Sequence, residues 1–558
     1  MASNPTTEPL EPTGAPAAGT ASVPTSGPVG ETALPQVEMV RPRWGDPSHA
    51  AELPDAARAL APEAGGPGSG VTPDEVSVPT PTVSDEMRRA VADIVGAEHV
   101  DDSHRDRVQH TRGYSTPDLL RLRAGDGADA PDLVVYPGDH DEVVRVLRIC
   151  AEHRVAVVPF TGGTSVVGGL TPDRRQVTGV ITVDVRRLDR VESVDEVSRV
   201  ATLQAGLRGV RAEELLAERG FTIGHFPQSY EGAGIGGYAA TRSAGQSSAG
   251  YGRFDEMVEG LVLATPKGTI ELGTAPRSAA GPDLRQLILG SEGVLGIITA
   301  VTVRISPLPR RRLFDGWRFP DFASGLDAIR ALAQDGPRPT VVRLSDELET
   351  ALNLADPDQL GAESPGCLMV VGVEGADEAE VGRRHDAVAQ ALTAAGGSGP
   401  DLDAGEAWRA GRFRAPYLRD PLLDAGVLVE TLETVTYWSR IEQLKAAVTG
   451  ALTDALTAQG TPPLVLCHVS HVYAAGASLY FTVVAPQTED PVAQWTAAKQ
   501  AANEAIRASG ASITHHHAVG RDHRAVYHAE IGELALEVLR AVKSTLDPHG
   551  VCNPGVLV

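Results

Sequence analysis

Glycine and hydroxyl residues cluster at the end of a short apolar run in the segment VAVVPFTGGTSVVGGL, residues 155–170. The apolar run has the length of a buried strand, and two glycine pairs follow its Pro-Phe-Thr turn. Consecutive backbone N–H groups with no Cβ in the way form an anion-binding nest, and the hydroxyls of Thr164 and Ser165 add donors. The pattern predicts a pyrophosphate cradle, although a glycine-rich turn without a ligand has the same composition. It is neither a P-loop, which needs Gly-Lys-Ser/Thr, nor a GxGxxG fingerprint.

Two more glycine-rich segments follow in the same part of the chain. They are PQSYEGAGIGGYAATRSAGQSSAG at residues 227–250 and GSEGVLGIIT at residues 290–299. Three such loops among alternating helices and strands indicate one long ligand wrapped by backbone, because a phosphate alone would need less contact.

Side chains that could move a proton or hold an anion lie mainly in the second half of the chain. Tyr480 lies in the apolar strand SLYFTVV, where a tyrosine is often only a core residue with a satisfied hydroxyl. Arg412, Arg414 and Arg419 form either a solvated charged face or a clamp for a phosphate or carboxylate. Arg343 either points into a cleft between two domains or makes an ordinary buried ion pair with Asp346. His468 and His471, beside the Tyr480 strand, are weaker candidates.

Three consecutive histidines, His515, His516 and His517, suit catalysis or substrate contact. On a strand, consecutive side chains point to alternate faces, so at most two of them converge. No Asp or Cys at ligand spacing completes a metal site, and none is predicted.

Composition narrows the class of protein. The 558 residues carry a formal net charge of −24, which argues against nucleic acid or an acidic membrane surface as a partner but allows an anionic small molecule bound by local arginines. The four cysteines, Cys150, Cys367, Cys467 and Cys552, lack CxxC spacing and suit reduced cytosolic thiols. We find no secretory signal and no transmembrane segment, so we expect a cytoplasmic location.

The order of elements predicts an α+β protein with several domains. Residues 1–36 have too few apolar residues to fold, and a second loose stretch covers residues 62–82. Ser84–Ala97, Asp139–His153 and Ala529–Leu546 are predicted helices. The predicted divisions are a disordered head at 1–36, a partly ordered segment at 37–83, a ligand-binding domain at 84–309, a cap or substrate domain at 310–512 and a C-terminal segment at 513–558.

Taken together and in order, the motifs resemble the FAD-binding flavoproteins of the vanillyl-alcohol oxidase and p-cresol methylhydroxylase type. The three glycine-rich loops and the ending LDPHGVCNPG carry this resemblance. Within that group, RWGDP, the GH of TIGHFPQSY, YLRD, AGASLYF and THHHAVG resemble bacterial relatives of alkyldihydroxyacetonephosphate synthase. The resemblance covers roughly residues 40–558. It implies a two-subdomain FAD-binding domain, an α+β cap and a C-terminal segment that returns to the flavin.

The resemblance also implies which residues form the site. The FAD pyrophosphate is implied on Pro159, Phe160, Thr161, Gly162, Gly163, Thr164 and Ser165. The adenosine and flavin portions are implied along Gln228, Ser229, Tyr230, Glu231, Gly232, Ala233 and Gly234, along Thr241, Arg242, Ser243 and Ala244, and along Glu292, Gly293, Val294, Leu295, Gly296, Ile297 and Ile298. The implied catalytic residues are Tyr480, His515, His516, His517 and Arg419, and the substrate-binding residues are Arg419 and Arg343.

Two departures from the family pattern leave FAD binding intact. The family loop often has three glycines where this chain has Thr161-Gly162-Gly163, and its second loop usually has an acidic residue where this chain has Gln228. Neither change removes a backbone amide. Covalently linked relatives carry His or Cys near the cradle, and the cradle here has neither, so we expect FAD to be bound non-covalently.

Three functions stay open at this point. The first is a synthase-like flavoenzyme that acts at flavin N5 on a small anionic hydroxy or keto substrate, with no net oxidation. The second is an FAD-dependent 2-hydroxy acid dehydrogenase of the D-lactate or glycolate type, although the predicted cap lacks the HxxxxH metal-binding arrangement that is usual in that group. The third is a flavin-binding protein without catalysis. The substrate, the electron acceptor and the oligomeric state, for which a homodimer is one option, do not follow from the sequence.

Overall fold

The computed structural model describes residues 39–53, 58, 66–352 and 366–558. The predicted disordered head at 1–36 lies outside the described residues, as does part of the predicted segment 37–83. The described elements form two larger sheets and a two-stranded pair in residues 100–307, and one large seven-stranded sheet in the second half of the chain.

The first sheet is built around the apolar run that precedes the glycine cradle. Its strands are β1 (Val100–Asp101), β2 (Leu133–Val135), β3 (Val155–Phe160) and β4 (Gly179–Asp184), in the order β1-β2-β4-β3. Strands β2, β3 and β4 run parallel, and their apolar residues are almost completely buried, as expected of a sheet covered on both faces. The strand prediction for this run is confirmed, but Pro159 and Phe160 lie inside β3 and the turn begins only after them.

Helices cover this sheet and begin at conventional caps. The helices before the second sheet are α1 (Asp85–Val95), α2 (His104–Gln109), α3 (Thr116–Arg123) and α4 (His140–His153). The hydroxyl of Ser84 accepts the Met87 N–H at the start of α1, and the carboxylate of Asp139 accepts the Glu142 N–H at the start of α4. Both helix predictions are confirmed to within two residues.

The second sheet carries the other two glycine-rich loops. The elements from here to residue 307 are β5 (Val191–Asp195), β6 (Val200–Gln204), α5 (Gly209–Ala217), β7 (Phe221–Thr222), α6 (Ile235–Thr241), α7 (Ser248–Tyr251), α8 (Phe254–Met257), β8 (Val258–Thr265), β9 (Gly268–Leu272), α9 (Arg285–Ile288), β10 (Ile297–Arg304) and β11 (Ser306–Pro307). The antiparallel sheet has the order β5-β6-β10-β8-β9, and β7 pairs with β11 outside it.

The third sheet has seven strands and belongs to the second half of the chain. Its elements are β12 (Arg311–Phe319), α10 (Phe322–Gln334), β13 (Val341–Ser345), α11 (Glu347–Leu352), β14 (Cys367–Gly375), α12 (Glu378–Ala394), β15 (Ser398–Asp401), α13 (Leu402–Gly411), α14 (Ala415–Asp424), β16 (Val427–Tyr437), α15 (Ile441–Thr457), β17 (Leu464–Val472), β18 (Gly476–Pro486) and α16 (Pro491–Ala508). The strand order is β15-β12-β14-β13-β17-β18-β16, and every pairing is antiparallel.

The last residues return to the first half of the chain. After the helices α17 (Arg524–Ile531) and α18 (Glu533–Leu546), Cys552 forms a bridge with Val157 of β3. The side-chain amide of Asn553 donates to the carbonyls of Gly169 and Glu292, so the chain end fastens two of the glycine-rich loops together.

Two sequence predictions are wrong in detail. The predicted helix Ala529–Leu546 is broken at Gly532, which has φ +78° and separates α17 from α18. The stretch predicted to be loose from residue 62 is, where it is described, tied to the rest of the chain by backbone hydrogen bonds, although most of its residues are exposed. The Gly68 N–H donates to Asp424 O at 3.0 Å, and a Cβ on Gly66 would lie 2.2 Å from the same oxygen. The segment is polar in composition, and its order comes from backbone contacts that composition does not reveal.

All four cysteines are buried and unpaired. Among the described residues, no helix combines the length and the apolar character that crossing a bilayer requires.

Candidate active site

One cavity of about 440 Å³ lies between the glycine-rich loops and the large sheet. Its walls come from both halves of the chain, including the cradle after β3 and the inner face of β16, β17 and β18. The cavity brings together most of the residues that the sequence analysis singled out.

The cradle approaches the rest of the site so closely that only glycine fits. A Cβ on Gly162 would lie 1.8 Å from Gly232 O, and Gly163 has φ +63° with its would-be Cβ 2.4 Å from Phe160 Cζ. All seven predicted cradle residues, Pro159 to Ser165, line the cavity.

The cradle is held from behind by Arg41, which is completely buried. Its guanidinium donates to the carbonyls of Thr111 (3.0 Å), Arg112 (2.6 Å) and Gly163 (3.2 Å). Burial lowers the pKa of this guanidinium, and the nearby Tyr114 and Asp118 raise it by less than burial lowers it. These hydrogen bonds tie the cradle, through Gly163, to the backbone at residues 111–112.

The other predicted loop residues divide into those on the cavity wall and those behind it. On the wall are Gln228, Ser229, Ala233, Gly234, Thr241, Ser243, Ala244, Glu292, Gly293, Gly296, Ile297 and Ile298. Behind it are Tyr230, Glu231, Gly232, Arg242, Val294 and Leu295. Arg242 pairs with Asp255 at 3.2 Å, and Val294 and Leu295 lie in the core. These six support the loops from outside the cavity.

Glu292 connects the third loop with the C-terminal segment. Its buried carboxylate accepts the Val519 N–H (3.0 Å) and the Gly520 N–H (2.9 Å). Burial raises the pKa of Glu292 to about 7, although these two N–H groups favour the ionised form.

Arg419 brings unsatisfied donors into the cavity. One guanidinium nitrogen, Nη1, donates to Tyr114 O at 2.7 Å, while Nε and Nη2 are buried and have no partner among the described residues. A guanidinium with two buried nitrogens that have no partner suits an anion or an electron-rich ring.

Arg412 lies on the same wall, whereas Arg414 is exposed and does not reach it. The Arg412 guanidinium lies over the rings of Phe413 (4.9 Å) and Phe226 (5.3 Å), and burial lowers its pKa. Two of the three candidate arginines, Arg412 and Arg419, therefore line the cavity.

The residues around the cavity fit FAD. At Gly162 and Gly163 the cradle leaves no room for a Cβ, its residues line the cavity, and Arg419 offers buried donors that lack a partner among the described residues. These are the features that a pyrophosphate and an isoalloxazine ring need.

Tyr480 lies in the centre of the large sheet's inner face. It pairs across the sheet with His468 on β17 and with Glu433 on β16. Its ring stacks on that of His468 with 4.9 Å between centroids and meets the ring of His517 edge-on at 5.5 Å. Burial raises the pKa of Tyr480 to about 12, so the phenol is protonated at neutral pH.

The three consecutive histidines lie in an irregular bend and not on a strand, which corrects the sequence interpretation. Glu433, fully buried, accepts the backbone N–H groups of His515 (2.6 Å), His516 (3.1 Å) and His517 (2.9 Å). His516 and His517 line the cavity. His515 lies behind them, where its Nε2 is 2.6 Å from the Tyr473 hydroxyl.

Arg343 lines the cavity, as the first of its two alternatives predicts, and it does not pair with Asp346. Its guanidinium pairs with Glu349 and lies 3.0 Å from His468 Nδ1. Asp346 pairs instead with Lys445 at 3.1 Å. The helix α11 turns Glu349 toward the cavity, a direction that the sequence VVRLSDEL does not reveal.

Glu433, Arg41 and Asn553 are functional candidates that the sequence analysis missed. Glu433 occupies one position of an ordinary alternating strand, and its histidine partners are about 82 residues away in the chain. Only Asn553, inside the quoted ending LDPHGVCNPG, belongs to a motif that could have drawn attention to it.

Comparisons with known proteins identify the family of this chain. Two family models match, "FAD binding domain" at residues 131–273 and "FAD linked oxidases, C-terminal domain" at residues 308–557. Alkyldihydroxyacetonephosphate synthase from Dictyostelium discoideum is 31% identical over 87% of this chain and 82% of its own length. A mitochondrial D-lactate dehydrogenase [cytochrome] from Arabidopsis thaliana is 27% identical over 77% of this chain and 73% of its own.

Solved structures give the same result. A structure of alkyldihydroxyacetonephosphate synthase superposes with a TM-score of 0.76 at 30% identity and covers 87% of this chain and 88% of its own. p-Cresol methylhydroxylase with substrate bound has a TM-score of 0.66 at 16% identity over 88% of this chain and 98% of its own, which shows the fold alone. The predicted α+β fold, with a flavin domain and a cap, is confirmed.

Proposed function

This chain belongs to the FAD-linked oxidases and is an FAD-dependent enzyme of the oxidoreductase type. We propose that it catalyses a synthase reaction on an amphiphilic ketone phosphate. In the proposed reaction, a long-chain alcohol replaces the acyl group of the ketone phosphate and a fatty acid leaves, with no net oxidation. The likeness to alkyldihydroxyacetonephosphate synthases at about 30% identity supports this branch of the family.

The observation that carries the proposal is a change of polarity along the inner face of the large sheet. At one end of the face, the paired residues Leu464, Val484 and Val429 line the cavity and pack with Leu422 and Leu352 in one apolar cluster. Four residues further along β17, a distance of about 13 Å, the same face presents His468, Tyr480 and Glu433. A substrate with a charged head and an apolar chain matches this arrangement, and its fatty chain would lie on the apolar end.

The charged end holds the groups that the reaction needs. Arg419 and Arg343 bind the phosphate or the carbonyl oxygen of the substrate, and Arg412 adds a third positive charge to the wall. FAD, when bound, supplies the electron-accepting ring at whose N5 the substrate reacts. The Tyr480 hydroxyl and the His517 imidazole are the groups placed to give and take the proton that the substrate carbon loses and regains.

A variant of the apolar end tests the substrate class. Leu464→Trp fills the space beside Val484 and Val429, so it should reduce turnover of a sixteen-carbon alcohol while leaving that of a four-carbon alcohol nearly unchanged. Product and released fatty acid are measured by mass spectrometry for both alcohols. Leu534→Trp, at a residue 76% exposed on α18, is the matched control and should alter neither rate. Equal effects of Leu464→Trp on the two alcohols would contradict a chain-binding role.

The second candidate is oxidation of a 2-hydroxy acid. The two unpartnered guanidinium nitrogens of Arg419 suit a carboxylate as well as a phosphate, and the likeness to a D-lactate dehydrogenase supports this alternative. It does not account for the apolar end of the cavity, because a small hydroxy acid would leave that end without contacts.

The cytoplasm is the proposed location, and a small anionic molecule is the proposed partner. Four buried, unpaired cysteines agree with a reducing compartment. A homodimer is the assembly we propose to test, and light scattering on the purified protein measures its mass directly.

A further inference from the structure

Three imidazole rings from two separate parts of the chain meet beside the cavity. His471 comes from the end of β17, and His515 and His516 come from the bend that follows α16. One ring nitrogen from each residue lies within 4.8 Å of the other two. The ring centroids form a nearly equilateral triangle, with sides of 4.9 Å (His471–His515), 5.0 Å (His471–His516) and 5.2 Å (His515–His516).

This triangle has nearly the dimensions of a three-histidine metal site. Zn–N bonds of about 2.0–2.1 Å in a tetrahedron place ligand nitrogens about 3.3 Å apart. His515 Nδ1 and His516 Nδ1 are already 3.0 Å apart, and a bound cation would draw the widest separation, at most 4.8 Å, inward. We propose that His471, His515 and His516 bind one Zn²⁺ ion, with the fourth coordination position open toward the cavity.

Two of the three histidines have, at the ring nitrogen that faces away from the triangle, the kind of partner that metal-bound histidines usually have. His471 Nδ1 lies 2.7 Å from the Ser248 hydroxyl, and His515 Nε2 lies 2.6 Å from the Tyr473 hydroxyl. Such contacts fix the ring orientation and the tautomer, leaving the other nitrogen available to a metal.

Charge balance gives a second, independent reason for a cation. The Glu433 carboxylate is 1% exposed, and in the described part of the chain no lysine or arginine lies within ion-pair distance of it. Its partners are backbone N–H groups, the Thr514 hydroxyl and, at 3.6 Å, His516 Nδ1. The nearby Arg253 donates to His515 O but is itself paired with Asp255 at 2.7 Å. A buried carboxylate with so little positive charge around it is stabilised by a cation in the adjacent triangle.

The cation would be reached from the cavity. His471 and His516 line the cavity wall together with Ser470 and Tyr480. A site with three protein ligands and one open position is the arrangement of catalytic zinc, which binds water or a substrate oxygen in the fourth position. Contact with the substrate oxygen rests on the proposed function, whereas binding of the metal does not.

Metal content of the purified, FAD-loaded protein tests the proposal without any substrate. The protein is dialysed against Zn²⁺, freed of loose metal on a chelating resin and analysed by inductively coupled plasma mass spectrometry. Wild type should retain one Zn²⁺ per chain, and His515→Asn and His471→Asn should retain only background. Ser248→Ala removes an outer partner and should weaken binding about 10–100-fold. His549→Asn, at an exposed histidine near the chain end, is the control and should match wild type.

Two further measurements keep the result interpretable. Flavin content and melting temperature establish that each variant folds. If the asparagine variants do not fold, X-ray absorption at the zinc edge of the wild type decides, because it should show three nitrogen neighbours at about 2.0–2.1 Å. Wild type that retains no more Zn²⁺ than His515→Asn would overturn the proposal, and the trio would then be a hydrogen-bonded histidine cluster. Retained Zn²⁺ without synthase activity would leave the metal site standing and contradict only the proposed reaction.

Discussion

Tyr480 is held in place by its ring, whereas its proposed function depends on the hydroxyl. The ring stacks on His468 and meets His517, so Tyr480→Phe should keep the fold and the FAD content. Loss of the proton-transferring hydroxyl should lower kcat about 10²–10⁴-fold. Steady-state turnover and flavin absorbance measure the two effects separately. Tyr437→Phe, at a tyrosine 64% exposed on the same sheet, is the control and should behave as wild type. Unchanged kcat in Tyr480→Phe would make this tyrosine a core residue only.

Glu292 should make the stability of the protein depend on pH. Its pKa is about 7 in the folded chain against 4.5 for an ordinary glutamate, because burial disfavours the charged form. The folded state therefore holds this proton more tightly than the unfolded state does. The stability that Glu292 contributes is complete below pH about 4.5 and is lost as the pH rises through 7, by about 3 kcal/mol at most.

Replacing Glu292 by glutamine isolates this contribution. Glu292→Gln keeps an oxygen that can accept the Gly520 N–H, but it does not titrate. The free energy of unfolding of the variant relative to wild type should therefore increase between pH 5 and pH 8, as measured by urea titration at each pH. A difference that stays constant over this range would show that Glu292 titrates normally.

At the scale of single residues, sequence reasoning worked where a side chain or a glycine belongs to a motif. Tyr480, Arg419 and the cradle glycines all line the cavity as expected. Arg41 and Glu433 were not predicted as site residues, because each of them contacts backbone groups that are far away in the chain. Arg41 reaches Gly163 across 122 positions, and nothing in the sequence around either residue records that contact.

Among the elements, the cradle after β3 is the one whose backbone geometry is most demanding. Gly163→Ala places a Cβ against Phe160 and Arg41 at φ +63° and should abolish or strongly weaken FAD binding. Gly450→Ala, in the middle of α15, meets nothing within 4 Å and should leave FAD binding unchanged, with a small gain in stability. Flavin absorbance per protein measures occupancy in both. Equal occupancy would show that the cradle does not carry the pyrophosphate.

Helices and strands were predictable where capping residues or apolar runs mark them. The interruption of a helix at Gly532 was not predictable in this way. The N-cap residues Ser84 and Asp139 predict the starts of α1 and α4, and the apolar runs predict the buried strands. The strand considered for residues 515–517 is an irregular bend in the structure. Its backbone hydrogen bonds go to the Glu433 side chain and not to a neighbouring strand, a choice that only the tertiary structure determines.

The cavity in which a substrate would react has walls from both halves of the chain. The flavin-binding loops come from the first half, the inner sheet face from the second, and the chain end fastens loops of the first half to one another. The sequence motifs indicated FAD and the family, whereas the apolar-to-polar change along the sheet required the register of β16, β17 and β18. The proposed preference for a chain-bearing ketone phosphate over a small hydroxy acid rests on that register.

In the proposed reaction, this FAD enzyme exchanges the acyl group of a ketone phosphate for a long-chain alcohol without net oxidation. The most direct test follows flavin absorbance near 450 nm under anaerobic conditions, with fatty acid release measured by mass spectrometry in the same samples. With an acylated ketone phosphate and a long-chain alcohol, we expect repeated release of fatty acid, formation of the alkylated product and no lasting loss of flavin absorbance. With D-lactate or glycolate, we expect no bleaching. Bleaching by a 2-hydroxy acid, together with no fatty acid release from the ketone phosphate, would contradict the account and establish the dehydrogenase instead.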